Sequence, residues 1–233
     1  MTASCDPACS FALPLLDGDS EIRMLSKLES KPYVDLTIAC LRHFGIAVQE
    51  TEQGYAVAGG QQYHACDLTV EGDYSQAAFF CVANALGSDI TLTNLNPESV
   101  QGDKKIVEIV REMCYNREQG LPAGFTVDAA DIPDLVPILA VLATFGTAPS
   151  SITGAHRLAT PDGLEIEPVK QLHGGTVDSC GDHRIAMCAA VAATRCAGEV
   201  TILHGECVEK SYPRFYEDYR QLGGIANVIV LES

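Results

Sequence analysis

The stretch DHRIAMCAAVAATRCAGEVTILHGE (residues 182–206) decides the fold, because its pattern occurs three more times along the chain. After Asp182-His183-Arg184 comes a run of small and apolar residues that starts at Ile185. Gly198 follows this run, and a short β-type run lies at 200–203. A helix that is apolar almost all round belongs in the interior of a protein. The stretch therefore predicts a buried helix that is followed directly by a strand.

The same order of features occurs in three earlier segments. They are FALPLLDGDSEIRML (11–25), SQAAFFCVANALGSDITLTNL (75–95) and DLVPILAVLATFGTAPSSITGAH (134–156). Each pattern has a glycine where its helix should end, because glycine adopts the left-handed backbone of a helix C-cap without strain. These glycines are Gly18, Gly87, Gly146 and Gly198. The strands predicted after them cover residues 21–25, 90–95, 151–153 and 200–203. Four copies of one pattern indicate an internal structural repeat.

A second kind of helix, apolar along one stripe only, follows most of these strands. It is predicted at residues 32–44, 103–114 and 213–222, and Pro213 suits the first turn of the last one. Helices of this kind cover one face of a sheet. The repeat unit is thus a buried helix, a strand, an amphipathic helix, and a strand or hairpin. This alternation predicts an α/β fold.

The third repeat departs from this order. After Thr153 the chain continues GAHRLATPDGLEIEPVKQLHGG (154–175), which has no helical stripe. Its residues predict a turn at 160–163 and a short strand at 164–166. The first repeat, in turn, begins within a helix and has no strand before it. We therefore expect a truncated chain with an internal gap.

A domain boundary is predicted near residues 70–73. Gly72 gives local freedom there, and Asp73 or Ser75 can cap a new helix. This places a partial domain with one repeat at 1–71. A second domain at 72–233 holds three repeats, of which the middle one lacks a helix.

The amino-acid composition argues against two classes of binding partner, nucleic acids and membranes. The 233 residues include 15 Lys+Arg and 31 Asp+Glu, for a formal net charge of −16. Nucleic acid is not an expected partner, because binding its phosphates needs clustered lysine and arginine. A membrane is not expected either, because the longest apolar runs are too short to span a bilayer. The ten cysteines, with no segment resembling a signal peptide, favour reduced thiols in a cytoplasmic protein.

Charged residues stand where two of the buried helices begin. Asp182-His183-Arg184 opens the fourth, where Asp182 suits an N-cap and Arg184 could bind a phosphate or carboxylate through two hydrogen bonds. The alternative is a capping aspartate beside a surface arginine. Asp134 opens the third, either as a cap or as a base that faces a cleft. The local sequence leaves both alternatives open.

Two amphipathic helices begin with matching residue types. Ser30-Lys31-Pro32-Tyr33 precedes one, and Lys210-Ser211-Tyr212-Pro213 precedes the other. Each segment offers a hydroxyl, a cation and an aromatic ring, and capping by the serine would explain each one alone. Together with Asp134 and Arg184, they suggest several helix starts that meet at one anionic ligand. The histidines, including His204, show no ligand spacing, and no metal is expected.

Six segments, in order along the chain, resemble one enzyme family. They are LESKPYVDLTI (28–38), EGDYSQAAFF (71–80), QGDKKIVEIV (101–110), IPDLVPILAVLA (132–143), GGTVDSCGDHRIAM (174–187) and CVEKSYPRFYEDYRQLGG (207–224). The chain resembles the 5-enolpyruvylshikimate-3-phosphate synthase family of the shikimate pathway, also called 3-phosphoshikimate 1-carboxyvinyltransferases. DHRIAM followed by C-V-x-K-S-Y-P is the most specific part of the match.

The resemblance implies a fold and a reaction. The fold is that of the enolpyruvyl transferases, with two domains of three βαβαββ units each and the substrates between them, here in an incomplete form. The reaction moves the enolpyruvyl group of phosphoenolpyruvate to the 5-hydroxyl of shikimate-3-phosphate through a tetrahedral intermediate, and it releases phosphate. No metal or organic cofactor is implied.

The resemblance also implies roles for five residues. Asp134 matches the carboxylate that accepts a proton near the 5-hydroxyl. Ser30 matches a ligand of the shikimate 3-phosphate, and Tyr33 lies beside it in the same pocket. Arg184 and Lys210 match cations that hold phosphoenolpyruvate.

The chain departs from the family in two places. The family's N-terminal part has no counterpart, and MTASCD (1–6) stands where a Ser-Ser-Gln phosphate motif is expected. After residues 156–158, Ala159-Thr160-Pro161 replaces a Lys-Glu-Ser-Asp-Arg stretch that carries a catalytic glutamate and a phosphoenolpyruvate-binding arginine. With these groups missing, we expect the chain alone to be inactive.

Two alternatives to a working synthase stay open. One is a non-catalytic fragment that keeps weak affinity for anions at Arg184 and Lys210. The other is the related transferase acting on UDP-N-acetylglucosamine, which the SKPYVD and EKSYPRFYEDYRQLGG segments disfavour. Truncation is also expected to leave an exposed apolar face that drives self-association.

Overall fold

The structure, a computed structural model, describes residues 7–26, 28, 30–115, 124–155 and 163–229. It divides into two compact units. Unit 1 comprises Met1–Glu71 and Asn96–Gly102, and unit 2 comprises Gly72–Leu95 and Asp103–Ser233. Among the described residues, no helix has the length and apolar character needed to cross a bilayer.

Unit 1 is a small sheet covered by one amphipathic helix. Its first helix, α1 (Pro7–Ala12), runs into a 3₁₀ turn at Leu13–Leu15. The next elements are strand β1 (Ser20–Arg23), helix α2 (Lys31–His43), and strands β2 (Val48–Thr51) and β3 (Gly54–Val57). All pairings are antiparallel, in the order β1-β3-β2.

The core of unit 1 lies between α2 and this sheet. Ile38 and Leu41 of α2 are buried against residues of the sheet and the preceding loop, as the predicted apolar stripe requires. The buried partners are Ile46, Val48, Tyr55 and Val57. The amphipathic helix predicted at 32–44 is therefore confirmed, with each end one residue earlier than predicted.

The carboxylate of Glu71 holds the returning segment of unit 1. It accepts hydrogen bonds from Asn96 Nδ2 at 2.8 Å, from Gln101 Nε2 at 2.7 Å, and from the hydroxyl of Ser99. Segment 96–102 therefore belongs with unit 1, although it is distant from the rest of that unit in sequence.

Unit 2 alternates helices and strands. Its helices are α3 (Tyr74–Ala85), α4 (Lys105–Tyr115), α5 (Val136–Thr144), α6 (His183–Ala193) and α7 (Phe215–Gln221). Its strands are β4 (Thr126–Asp128), β5 (Ser150–Thr153), β6 (Leu164–Ile166), β7 (Leu172–Asp178) and β8 (Cys196–Leu203). Strand β5 pairs in parallel with β4 and antiparallel with β6, and β7 pairs in parallel with β8.

Three apolar helices form the centre of unit 2. Helices α3, α5 and α6 each contact the other two, as their apolar composition predicts. Seven of the twelve residues of α3 are buried, as are five of nine in α5 and five of eleven in α6. The strands place polar residues on their outer faces. In β4 and β5, for example, Val127 and Ile152 point inward, while Thr126 and Thr153 are exposed.

The strand predicted at 90–95 is wrong. No strand forms there, and at its first position the side-chain amide of Asn84 binds both backbone groups of Ile90. Asn84 Nδ2 donates to the Ile90 carbonyl at 2.7 Å, and Asn84 Oδ1 accepts from the Ile90 N–H at 2.8 Å. The strands predicted at 21–25, 151–153 and 164–166 are confirmed to within two residues at each end. The strand predicted at 200–203 forms the second half of β8, which begins four residues earlier.

The glycine caps are confirmed at one position only. Gly87 follows α3 with a positive φ of 110°. Gly18 lies beyond the end of the first helix, and Gly146 follows α5 without a positive φ. Gly198 (φ 98°) lies inside β8, where the β7–β8 register shifts, and not at a helix end.

Three further predictions need correction or completion. The first apolar helix is short, and Phe11 and Ala12 at its end are exposed, where the prediction has them buried. Pro213 lies two residues before α7 and not in its first turn. Residues 163–171 form no helix, as predicted for the third repeat, while residues 156–162 lie outside the described part of the chain.

Replacing Leu139 by alanine tests the packing of the three apolar helices. Leu139 is fully buried, so the change leaves a cavity and should lower the free energy of unfolding by about 2–5 kcal/mol. Leu222→Ala makes the same chemical change at a half-exposed site and should cost at most about 0.5 kcal/mol. Urea denaturation followed by circular dichroism measures both. Equal losses in the two variants would contradict this core.

Candidate functional site

The predicted site residues of unit 2 lie around the turn at 179–182, which joins β7 to α6. This turn and the segment after β8 both follow the carboxyl ends of two adjacent parallel strands. In open α/β sheets, loops at such ends form the usual place for ligands. Strand pairing therefore brings together residues that are more than twenty positions apart in sequence.

The backbone N–H groups of this turn are already engaged. Cys180 donates to Asp178 Oδ1 at 2.8 Å, Gly181 to Ser179 Oγ at 3.1 Å, and Asp182 to the Ser179 carbonyl at 2.9 Å. Arg184 donates its N–H to Asp182 Oδ1 at 2.8 Å, which confirms Asp182 as the N-cap of α6. The N–H groups of Cys180, Gly181, Asp182 and Arg184 thus have partners, so side chains are the main candidates for holding an anion at this turn.

The side chains of Asp134 and Arg184 form an ion pair. Arg184 Nη2 lies 3.0 Å from Asp134 Oδ1, and Arg184 Nη1 lies 4.0 Å from Asp182 Oδ2. Asp134 stands in the 3₁₀ turn Pro133–Leu135, which runs directly into α5. Because α5 packs against α6, the starts of the two helices meet. The Asp134 and Arg184 side chains are about one quarter and one third exposed, so solutes can reach the pair.

Lys210 approaches the same turn from the other side. Its Nζ donates to the Gly181 carbonyl at 3.1 Å. It ends the 3₁₀ segment Gly205–Lys210, which packs against α6 through the buried Cys207 and Val208. The structure thus gathers three of the five predicted residues, Asp134, Arg184 and Lys210, around one helix start.

A surface recess of about 520 Å³ lies beside this turn. Its lining includes the cation Lys210 and three carboxylates, namely Asp178, Glu206 and Glu209. Acidic groups thus outnumber basic ones at the recess, as they do over the whole chain. This excess weakens the attraction of the recess for anions. Of the three gathered residues, Lys210 lines the recess, and Asp134 and Arg184 do not.

A pair between Asp178 and His204 lines the same recess, and the sequence did not reveal it. Asp178 Oδ1 lies 2.9 Å from His204 Nδ1. The hydrogen bond that His204 Nδ1 donates to Asp178, together with the negative charge of Asp178, raises the pKa of His204 above 6.5. Hydrogen bonds from Cys180 N–H and from His204 lower the pKa of Asp178 below 3.8. One signal could have identified the pair: Asp178 ends one of two adjacent parallel strands, and His204 directly follows the other.

The signs of these pKa shifts define a pH window for the pair. The raised pKa of His204 gives stability that is complete below pH 6.5 and is lost as the pH rises through that pKa. The lowered pKa of Asp178 gives stability that is complete above pH 3.8 and is lost as the pH falls through that pKa. The pair therefore stabilises the recess between these limits.

Ser30 and Tyr33 lie at the start of α2 in unit 1. Ser30 has a left-handed backbone (φ 57°) and its side chain makes no capping hydrogen bond to α2, so the alternative explanation of Ser30 as a side-chain cap does not hold. Tyr33 donates its N–H to the Ser30 carbonyl at 3.1 Å. Lys31 Nζ lies 2.7 Å from Asp35 and 3.8 Å from Glu50, so two carboxylates already balance its charge. A role for Ser30 and Tyr33 in binding stays a prediction.

No metal site is visible in the part of the chain that the structure describes. Among those residues, no three His, Cys, Asp or Glu side chains are close enough to hold an ion. The predicted departures at 1–6 and 159–161 lie outside the described residues.

Comparison with known proteins gives a consistent set of relatives. The family model for EPSP synthase (3-phosphoshikimate 1-carboxyvinyltransferase) matches residues 8–160 and 154–219. The 3-phosphoshikimate 1-carboxyvinyltransferases of Clostridium perfringens and Clostridium novyi are each 40% identical to the chain. Both matches cover 92% of the chain, but only 59% and 57% of the relatives. The chain thus spans less than two thirds of their length.

Solved structures show the same fold. An EPSP synthase from Acinetobacter baumannii matches with a TM-score of 0.76 and 22% identity, over 94% of this chain and 60% of that one. The enolpyruvyl transferase NikO from Streptomyces tendae matches with a TM-score of 0.70 and 17% identity, over 94% and 58%. The predicted enolpyruvyl transferase fold, in incomplete form, is therefore confirmed.

The pKa of His204 can be measured by following its ring protons in an NMR titration. We expect a value above 6.5 in the folded chain. Asp178→Asn keeps an oxygen acceptor but removes the charge, so it should bring the pKa of His204 back toward 6.5.

Glu209→Gln is the matched control, because it removes a carboxylate from the same recess without touching the pair. It should leave the pKa of His204 unchanged. An equal response to the two variants would show that the general field of the recess, and not the 2.9 Å contact, sets this pKa.

Proposed function

The chain belongs to the EPSP synthase (3-phosphoshikimate 1-carboxyvinyltransferase) family, and from that premise we propose that unit 2 carries the anion-binding side of an enolpyruvyl transfer site. The ligand we propose for it is phosphoenolpyruvate, which carries a carboxylate and a phosphate. The observation that supports this most is the meeting of Arg184, Asp134 and Lys210 around the start of α6.

Arg184 and Lys210 are suited to this ligand by different properties. The planar guanidinium of Arg184 donates in parallel to the two oxygens of a carboxylate or phosphate. The ammonium of Lys210 has three donors, and its bond to the Gly181 carbonyl leaves capacity for an anion. Both groups are held by packed elements, so binding costs little reordering.

Asp134 has two successive roles in this proposal. Without ligand, its carboxylate balances the charge of Arg184 at 3.0 Å. An incoming anion competes for the same guanidinium and displaces the carboxylate from it. The released carboxylate can then accept the proton of the attacking hydroxyl. Anion binding would thus free the base that the transfer step needs.

Ser30 and Tyr33 are proposed to bind the phosphate of shikimate-3-phosphate in unit 1. The hydroxyls of both side chains can donate to a phosphate oxygen. The left-handed backbone of Ser30 also supports a functional role, because non-glycine residues in that region are uncommon and cluster at functional sites.

We propose further that this chain alone does not catalyse the transfer. It spans less than two thirds of its relatives, and the acidic groups around Arg184 and Lys210 reduce the field that stabilises an anionic transition state. Each missing electrostatic contact costs a few kcal/mol in the rate of such reactions.

Two substitutions distinguish this site by their opposite effects on anion binding. Asp134→Asn releases Arg184 from its counter-ion and should strengthen the binding of phosphoenolpyruvate about three- to tenfold. Arg184→Gln removes the main donor and should weaken it at least about tenfold. Isothermal titration calorimetry at low ionic strength measures both.

The controls make the same chemical changes nearby. Asp131→Asn is the control for Asp134→Asn, because it changes the net charge by the same amount at a position three residues earlier. Arg195→Gln is the control for Arg184→Gln, because it removes a cation just beyond the other end of α6. Both should leave the affinity within about twofold. Weaker binding in Asp134→Asn would contradict the competition between the carboxylate and the ligand.

A phosphate-release assay with both substrates tests the catalytic part of the proposal. The chain alone should give no release above the uncatalysed background. Release that exceeds the background and disappears in Arg184→Gln would show that the chain is an active synthase and overturn the proposal of inactivity.

A further inference from the structure

The buried hydroxyl of Ser179 joins the turn before α6 to the segment that follows β8. Ser179 is fully buried, and its hydroxyl makes three contacts. It donates to the His204 carbonyl at 3.1 Å, and it accepts from the Gly181 N–H at 3.1 Å and from the Cys207 thiol at 3.5 Å. One hydroxyl thus connects two loops whose residues lie 25 or more positions apart in sequence.

Two residues beside this hydroxyl have backbone conformations that non-glycine residues rarely adopt. Cys180 (φ 51°) directly follows Ser179, and His204 (φ 54°) supplies the carbonyl that the hydroxyl binds. Left-handed residues of this kind persist only where their surroundings hold them, and they cluster at functional sites. The Asp178 carboxylate adds to that support, because it accepts from the Cys180 N–H and contacts His204 Nδ1. Side chains therefore hold the turn in an unfavourable shape.

The shape of the turn determines where the Gly181 carbonyl points. The Asp182 N–H donates to the Ser179 carbonyl at 2.9 Å, and this N–H shares one planar peptide group with the Gly181 carbonyl. The N–H and the carbonyl of a trans peptide point in opposite directions, so the Gly181 carbonyl faces away from Ser179. Lys210 Nζ donates to that carbonyl at 3.1 Å. The turn thus presents the oxygen atom that holds Lys210 in place.

Lys210 needs such a holder because of the charges around it. The recess that it lines also contains three carboxylates, which attract a free ammonium group. They belong to Asp178, Glu206 and Glu209. Among the described residues, Lys210 Nζ binds the Gly181 carbonyl and forms no ion pair with these carboxylates. A neutral carbonyl keeps the positive charge of Lys210 available for an anion.

We propose that Ser179 is a positioning residue for Lys210, and so for the anion that Lys210 binds. Its hydroxyl acts from two sides. It fixes the turn through the Gly181 N–H, and it fixes the segment that carries Lys210 through the His204 carbonyl. This role in binding rests on the anion site proposed above, whereas the link between Ser179 and Lys210 can be measured without a ligand.

A crystal structure of Ser179→Ala tests that link directly. The change leaves the Gly181 N–H and the His204 carbonyl without their partner, so the turn should relax. We expect Lys210 Nζ to lie beyond hydrogen-bond distance of the Gly181 carbonyl, at more than about 3.5 Å. An unchanged position of Lys210 would overturn the proposal.

Ser150→Ala is the matched control. Ser150 is also buried, and its hydroxyl accepts from the Phe125 N–H at 3.2 Å in the β4-β5-β6 sheet of unit 2. The control removes the same hydroxyl from a buried site and should leave Lys210 in contact with the Gly181 carbonyl. Loss of that contact in both variants would show a general loosening of unit 2 and would also overturn the proposal.

Calorimetric titration with phosphoenolpyruvate measures the consequence for binding. Ser179→Ala should weaken binding about three- to tenfold, the loss expected for one misplaced hydrogen bond to a charged group. Ser150→Ala should leave the affinity within about twofold. In a Lys210→Met background, Ser179→Ala should have no further effect, because the ammonium that Ser179 positions is absent. An equal loss with and without Lys210 would contradict positioning through Lys210.

The two measurements separate this proposal from the proposed function. If the unchanged chain gives no heat with millimolar phosphoenolpyruvate, the anion site fails, and the two crystal structures decide the link between Ser179 and Lys210. If the ligand binds but Ser179→Ala neither moves Lys210 nor weakens binding, the anion site stands and the positioning role fails. Ser179→Cys supplies a milder variant for both measurements if circular dichroism shows Ser179→Ala unfolded, because a thiol is a weaker donor and acceptor than a hydroxyl.

Discussion

The ion pair between Asp134 and Arg184 is the constraint on which the proposed chemistry depends. It exists because α5 and α6 pack through fully buried apolar residues and so bring their first turns together. Two partly buried opposite charges at 3.0 Å are costly to separate unless another ion takes one of their places. The apolar core thus determines the geometry, and the geometry determines which ligands can bind.

The sequence predicted the elements whose signals are local. The Asp73 and Asp182 caps, the amphipathic helix α2 and the strand at 200–203 follow from side-chain type and spacing, and the structure confirms them. The prediction of a strand at 90–95 was wrong. The side chain of Asn84 takes both backbone groups of Ile90 there, a contact that periodicity does not reveal. The contact between Asp178 and His204 was missed because it depends on parallel pairing of two strands.

The internal repeat gives unit 1 and unit 2 the same kinds of helix and strand, but the apolar helices are packed differently in the two units. In unit 2, three apolar helices cover one another, and the turns at their starts present charged groups. In the described part of unit 1, the segment after α1 leaves Leu15 and Leu16 half-exposed, while the amphipathic helix and its sheet form a small core. Family membership and the share of its relatives that the chain covers both describe a partial form of the same fold.

A crystal structure of the chain with phosphoenolpyruvate bound would test the central claim most directly. The account predicts that the ligand lies between Arg184 and Lys210, and that the distance from Arg184 Nη2 to Asp134 Oδ1 rises well above its present 3.0 Å. A ligand bound elsewhere, or bound at Arg184 with the 3.0 Å contact intact, would contradict the exchange of Asp134 for the anion.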